Sequence, residues 1–403
     1  MKLKKIVSLS LAVSMLFFPF LVEAAPNDGV EPPKTVSEIN VSHGKGAYVP
    51  GEVIVQFKDQ VNAEEKSKVL KGVGATVVPD NNPVKSKSKF HVLKVGNVEA
   101  VVKALNNNPL VEYAEPNYLF NVTWTPNDTY YQSYQYGPQN TYTDYAWDVT
   151  KGSSGQEIAV IDTGVDYKHP DLDGKVIKGY DFVDNDYDPM DLNNHGTHVA
   201  GIAAAETNNA TGIAGMAPYT KILAVRALDR NGSGTLSDIA DAIVYAADSG
   251  AEVINLSLGC DCHTTTLENA VNYAWNKGSV LVAAAGNDGV STTFEPASYE
   301  NVIAVGAVDQ YDRLASFSNY GTWVDVVAPG VDIASTITRN RYAYMSGTSM
   351  ASPHVAGLAA LLASQGRNNV EVRQAIEQTA DKISGSGTYF KYGRINSYKA
   401  VTY

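Results

Sequence analysis

From residue 157 onward, short stretches apolar at nearly every position alternate with longer stretches whose apolar residues recur at helical spacing. The first kind predicts strands over residues 157–161, 221–227, 253–258, 279–285 and 302–308. The second predicts helices over residues 196–205, 236–249, 266–277, 348–364 and 370–379. A strand with no polar face is covered on both sides. With helices between such strands, the pattern implies an α/β fold built on a mostly parallel β-sheet flanked by helices. In that architecture ligands bind beyond the C-terminal ends of the strands. The residues that follow each strand are therefore the ones to read for chemistry.

The chain before residue 124 has another texture. Residues 52–57 alternate apolar and polar, 63–72 have helical spacing, 90–95 alternate again, 98–106 are helical, and 111–116 close the block. This order predicts a small α+β module within residues 47–120. Residues 25–46 are rich in Pro, Asn, Gly and Ser and form a linker. Residues 1–24 carry Lys2, Lys4 and Lys5, then an apolar run from Ile6 to Val22, with Val22 and Ala24 small enough for a cleavage site. That is the pattern of a secretory signal, and the run is short for a membrane span. The expected product is a secreted, extracellular protein with no stable membrane association.

Charge sharpens the division. Lys and Arg total 31 against 43 Asp and Glu, a net −12, which argues against nucleic acid as a partner. Residues 25–123 balance 11 basic with 11 acidic groups, whereas residues 124–403 hold 17 basic and 31 acidic groups. The acidity thus belongs to the C-terminal region, where carboxylates can serve cations. Only two cysteines occur, Cys260 and Cys262, so no disulfide framework holds the fold.

Four stretches carry candidate chemistry. Strand 157–161 runs into Asp162-Thr163-Gly164, and a carboxylate at a buried strand end needs a partner. His195-Gly196-Thr197-His198 opens an Ala-rich helix. Its two histidines share a helix face, which leaves a metal pair open, but the zincin spacing and its Glu are absent. Proton relay between a carboxylate and a nucleophile fits better. Ser346-Gly347-Thr348-Ser349 opens a second helix, whose N-terminal N–H groups favour an oxyanion. Strand 279–285 ends in Gly286-Asn287-Asp288, where an amide can donate to the same oxyanion. Carboxylate, imidazole, hydroxyl and amide together make the parts list of acyl transfer through a serine.

These residues resemble the signatures of the subtilisin-like serine proteases, in the family's order Asp, His, Ser. Within that family the match is closest to the thermitase-like members, through Tyr136-Gly137-Pro138-Gln139, residues 270–278 and residues 381–384. The resemblance covers residues 124–403, and residues 47–120 resemble the family's inhibitory propeptide. It implies a signal at 1–24, a propeptide at 25–123 and a mature peptidase domain at 124–403, with self-cleavage at Thr123–Trp124. It implies Ser349 as nucleophile, His195 as base, Asp162 as its partner, and Asn287 with the Ser349 N–H as oxyanion donors. Peptide substrate would add as a strand between Gly232-Ser233-Gly234 and Ser257-Leu258-Gly259, with Ala284, Ala285 and Gly286 lining the main specificity pocket. The expected protein is a monomeric endopeptidase of broad specificity, held by its own propeptide.

Calcium is expected at two or more places. Nine aspartates stand from Asp162 to Asp191. The acidic loop offers Asp181, Asp184, Asp186, Asp188, Met190 and Asp191 for a loop site, although the Gly and final Glu of an EF-hand are missing. By resemblance, a strong site joins the side chains of Asp128, Asp171 and Asn209 to the carbonyls of Glu206, Thr211 and Ile213. A weaker site, open to Na⁺, would use the carbonyls of Ala297, Tyr299 and Val302 near Asp325. For Cys260 and Cys262, free thiols, a metal site with His263 and a disulfide all stand open, and export favours the disulfide. Two rival functions are disfavoured. A secreted esterase would need the second Gly of a nucleophile elbow, and an inactive calcium-holding protein would not need all four catalytic residue types.

Overall fold

The computed structural model describes residues 48–79, 89–118 and 124–403. The expected signal, the linker and Thr123 lie outside the described residues. Two compact units result, 48–118 and 124–403.

The first unit contains β1 (Tyr48–Phe57), α1 (Ala63–Gly72), β2 (Thr76–Val77), β3 (Phe90–Lys94), α2 (Val98–Asn106) and β4 (Val111–Tyr118). The strands form an antiparallel sheet in the order β2-β3-β1-β4. Both helices span the residues that the spacing predicts. Their starts are fixed locally: Asn62 and Glu65 form a reciprocal capping box on α1, and the Asn97 side chain caps α2. Alternation puts Val53, Val55 and Phe57 of β1 into one core with Leu70, Leu93, Val101 and Leu105.

The second unit begins with three short helices, α3 (Tyr131–Tyr134), α4 (Gly137–Asn140) and α5 (Thr143–Ala146). There follow β5 (Glu157–Asp162), β6 (Val176–Asp181), α6 (His195–Ala204), β7 (Lys221–Arg226), α7 (Leu236–Asp248), β8 (Val253–Leu256), α8 (Thr265–Asn276), β9 (Val280–Ala284) and β10 (Val302–Val308). The chain ends with β11 (Val326–Pro329), β12 (Ile333–Ile337), β13 (Arg341–Met345), α9 (Thr348–Ala363), α10 (Asn369–Thr379), β14 (Gly393–Arg394) and α11 (Ser397–Val401). Eight strands form one sheet in the order β14-β11-β10-β9-β8-β5-β7-β6, and every pairing in it is parallel. β12 and β13 form a separate antiparallel hairpin.

Strand order reverses beside β5. β7 pairs with one edge of β5, and α7 then carries the chain across to β8 on the other edge. Such a switch opens a crevice at the C-terminal strand ends. The interior strands feed both faces of the sheet. Ile158 and Val160 of β5 face the layer containing α6 and α9, while Ala159 and Ile161 face α7 and α8. Helices α6 and α9 are buried at every position, so their small residues set how closely they approach. Gly357 of α9 sits where an added Cβ would overlap the Met216 side chain and lie 2.9 Å from the Ala203 carbonyl oxygen. Gly357→Ala should therefore cost about 1–3 kcal/mol by overpacking. A denaturation midpoint equal to the parent's would contradict this account of the α6–α9 contact.

Candidate active site

Asp162 is the last residue of β5 and has no solvent exposure. Its Oδ1 accepts hydrogen bonds from His195 Nδ1 and the Thr163 N–H, both at 2.7 Å. Its Oδ2 has no partner among the described residues. His195 is the first residue of α6, and that helix start is built around Asp191. Asp191 Oδ1 accepts from the N–H groups of Asn193 and Asn194 and from Thr163 Oγ1, and its Oδ2 from the Thr197 N–H and Oγ1. A buried carboxylate thus satisfies the helix start, which the Asn194 side chain does not cap. Gly196 permits the approach of α6 to β5, because a Cβ there would overlap the Gly164 carbonyl and lie 3.1 Å from Asp162.

Burial presses the His195 pKa down, but the charge of Asp162, its hydrogen bond and the charge of Asp191 outweigh burial and leave it raised. His198 differs. Burial pushes it down to about 3, and its Nε2 bonds the Ala343 carbonyl at 3.1 Å. It is a neutral packing residue, with no carboxylate partner to charge it.

Ser349 is the second residue of α9. Its Oγ donates to the Ser257 carbonyl at 3.2 Å rather than to His195. Such hydrogen bonds are often loose in free enzymes and tighten around substrate. Asn287 Oδ1 accepts from the Thr348 N–H at 2.8 Å and from Thr348 Oγ1 at 3.0 Å. That fixes the amide by its oxygen and leaves both Nδ2 protons for another acceptor. The Asn287 amide and the first turn of α9 therefore stand together, as an oxyanion site requires.

The segments expected to hold substrate lie at strand ends. Ser257-Leu258-Gly259 directly follows β8, with Leu258 buried. Gly232-Ser233-Gly234 follows β7 in a turn closed by the Asp229 N–H to the Ser233 carbonyl, 2.8 Å. Ala284 and Ala285, at the end of β9, are buried, and Gly286 faces the Phe294 ring and the Asn319 amide. Cys260 bridges Glu295 through two backbone hydrogen bonds and is paired with Cys262, with Cα atoms 5.2 Å apart.

The cation candidates divide. Asp128 and Asp171 are buried, and the 206–213 loop folds over them. Asp128 accepts from the Asn208 N–H at 2.8 Å, and Asp171 accepts from Asn209 Nδ2 at 2.9 Å and from the Ile213 N–H at 2.8 Å. Burial pushes the Asp171 carboxyl up to about 7, with the charge of Asp128 acting in the same direction, and no Lys or Arg opposes it. The acidic loop is different. Asp181 and Asp184 both accept from Arg226 Nη1, at 2.7 and 2.6 Å, and Asp188 accepts from Lys178 at 2.9 Å. Asp186 Oδ1 accepts the Asp188 N–H, and the Met190 N–H bonds the Asp188 carbonyl. At the third place Asp325 accepts from Arg373, and the Tyr299 carbonyl takes the Val302 N–H. Ala297 is buried beside them. Among the described residues, no group of three or more His, Cys, Asp or Glu converges as a metal cage.

Sequence reasoning passes over the supports of this site. It places Asp191 in the acidic loop, although a carboxylate four residues before His195 is a signal for a helix start. It also misses Asn255, Ser352 and Pro353. Asn255 is the one polar residue in the apolar run that forms β8, and that contrast is the available signal.

The chain matches the subtilase family of peptidases over residues 153–394 and the fervidolysin N-terminal prodomain over residues 34–117. It is 92% identical to the thermophilic serine proteinase of Bacillus sp. strain AK1 over the full length of both chains. It is 61% identical to thermitase of Thermoactinomyces vulgaris, across 70% of this chain and all of that one. It is 48% identical to halolysin of Haloferax mediterranei, across 75% of this chain and 60% of that one. The protein belongs to the subtilase family of serine proteases, and it carries a prodomain ahead of its peptidase domain.

Proposed function

We propose that this serine protease is a secreted endopeptidase of broad specificity, made as a self-processing zymogen and stabilised by calcium. Its signal is residues 1–24, its propeptide 25–123, and its mature domain 124–403. The observation that carries the catalytic assignment is the 2.7 Å hydrogen bond from His195 Nδ1 to a carboxylate without solvent exposure. It fixes the imidazole tautomer, so that Nε2 is the basic nitrogen.

In this reading Ser349 Oγ attacks the scissile carbonyl and His195 Nε2 takes its proton. Asp162 holds the imidazolium as it forms. Negative charge develops on the carbonyl oxygen, where Asn287 Nδ2 and the Ser349 N–H donate. Loss of one such donor lowers kcat by about 10²–10³, the range known for subtilisin, a member of this family. The tetrahedral species collapses as His195 returns its proton to the leaving amine. Water then repeats the sequence on the acyl-enzyme. Substrate main chain pairs with 232–234 and 257–259, which demands little of the substrate's side chains.

Calcium is assigned to the Asp128–Asp171 site. Two buried carboxylates without a cationic side chain supply hard oxygen donors, and Asn209, whose Nδ2 donates to Asp171 while its Oδ1 accepts the Thr211 N–H, would have to turn its oxygen inward to join them. Carbonyls of Glu206, Thr211 and Ile213 complete the set. The acidic loop and the Asp325 site fit less well, since Arg226, Lys178 and Arg373 already balance their carboxylates. Cys260 and Cys262 form a disulfide at the edge of the substrate groove.

Three outcomes test this reading. Ser349→Ala should accumulate uncut and leave casein intact, and mass spectrometry of the secreted material would show the N-terminus; normal self-processing would sink the assignment. Because the base must be neutral, activity should rise with pH through the raised His195 value. Asp162→Asn should move that acid limb downward, since burial remains and the raising charge is gone, and lower kcat by about 10⁴-fold. An unmoved limb would show that another group governs it. Finally, excess chelator should lower the melting temperature and speed autolysis, because an ion bound only to the folded state stabilises it by about 4 kcal/mol at a thousandfold excess over Kd. An unchanged melting temperature would remove calcium from the account.

A further inference from the structure

Helix α9 contains a proline, Pro353, four residues after Ser349. In an α-helix the N–H of residue i+4 satisfies the carbonyl of residue i. Proline has no N–H, so the Ser349 carbonyl loses its intrahelical partner. The orphan belongs to the same residue that carries the proposed nucleophile. It is also buried, where an unsatisfied acceptor is costly.

The missing donor comes from another element. Ser257 Oγ, just beyond β8, donates to the Ser349 carbonyl at 2.8 Å. That hydroxyl has one proton and has given it away, so it acts as an acceptor toward Asn255, whose Nδ2 donates to it at 2.9 Å. With its amino group so used, Asn255 turns its Oδ1 toward Ser352 Oγ, which donates at 2.8 Å. The chain of donors runs Ser352, Asn255, Ser257, Ser349 carbonyl. Every direction in it follows from the carbonyl at its end, which can only accept. Asn255 and Ser352 have no solvent exposure, and Ser257 has 4%. The path begins and ends on α9 and passes through β8 and the segment that pairs with substrate.

We propose that Ser257 and Asn255 are positioning residues for the nucleophile. They replace the hydrogen bond that Pro353 removes, and so lock the first turn of α9 to the substrate-binding segment 257–259. The nucleophile and the strand that presents the scissile bond then share one frame. An error of about 1 Å between them can cost 10²-fold in rate. A merely capping hydroxyl would fix the helix alone, whereas this path ties the helix to the substrate's own anchor. The proposal rests on Ser349 being the nucleophile, which the Ser349→Ala experiment decides separately.

The test is a double-mutant cycle on the matured enzyme, expressed from the full chain, with competent sites counted by an active-site titrant. Ser257→Ala leaves the Ser349 carbonyl unpaired and should lower kcat by about tenfold with KM changed less than about twofold. Ser257→Thr keeps the hydroxyl and should restore most of kcat. Pro353→Ala returns an N–H to the helix, so in that background Ser257→Ala should cost less than about threefold. An equal loss in the parent and in the Pro353→Ala background, or a loss wholly in KM, would overturn the proposal. If Ser257→Ala fails to accumulate, Asn255→Ala supplies the same comparison. It removes the donor to Ser257 together with the acceptor for Ser352, and the same dependence on Pro353 is required.

Discussion

A single buried charge organises this molecule. Asp162 ends an interior strand of a parallel sheet with no exposure to bulk solvent. An isolated carboxylate there would cost several kcal/mol of desolvation. The His195 Nδ1–H and the Thr163 N–H make the ionised form tolerable. To bring that imidazole within reach, α6 must start beside the strand end, which demands Gly196 and the buried cap Asp191. Once α6 is fixed, α9 packs against it along small residues, and Ser349 stands in the first turn of α9, its Oγ on the Ser257 carbonyl beyond β8. The site is thus less a set of residues added to a fold than the place where the fold meets its own electrostatic demand.

What the sequence disclosed follows from the range of the forces involved. Helices α1 and α2 were legible to the residue because their spacing and caps are local. The buried strands β5 and β7 to β10 were legible because covering both faces leaves an unbroken apolar run, whereas β11 and β12, equally buried and four and five residues long, were not. β6 was not, since Lys178 and Gly179 interrupt it and it lies at the sheet edge. β13, Arg341–Met345, is half-polar and pairs only with its hairpin partner. The two residues of β14 form a strand only because β11 lies beside them. No local pattern encodes that.

The same distinction runs through the site. Asp162, His195, Asn287 and Ser349 stand at strand or helix ends, where polar residues interrupt apolar runs and are conspicuous. Their supports are buried partners whose purpose emerges only when elements meet. The aspartates from 181 to 191 show the cost of reading residues in isolation. Their density suggested one cation site, yet folding gives Asp181 and Asp184 to Arg226, Asp188 to Lys178, and Asp191 to a helix start. Asp128 and Asp171, which accept from amides of one loop instead, are far apart in sequence.

The wholly parallel sheet also carries a cost in time. Val160 of β5 lies opposite Asn255 of β8, and Val326 of β11 opposite Gly393 of β14. Few of these pairings are local, and contacts between distant residues make folding slow, because long loops must close before any reward arrives. The path back is equally obstructed once both faces of the sheet are covered. A protease survives among its own copies only while every copy stays shut, so its working life is set by how seldom a molecule opens rather than by how favourable folding is.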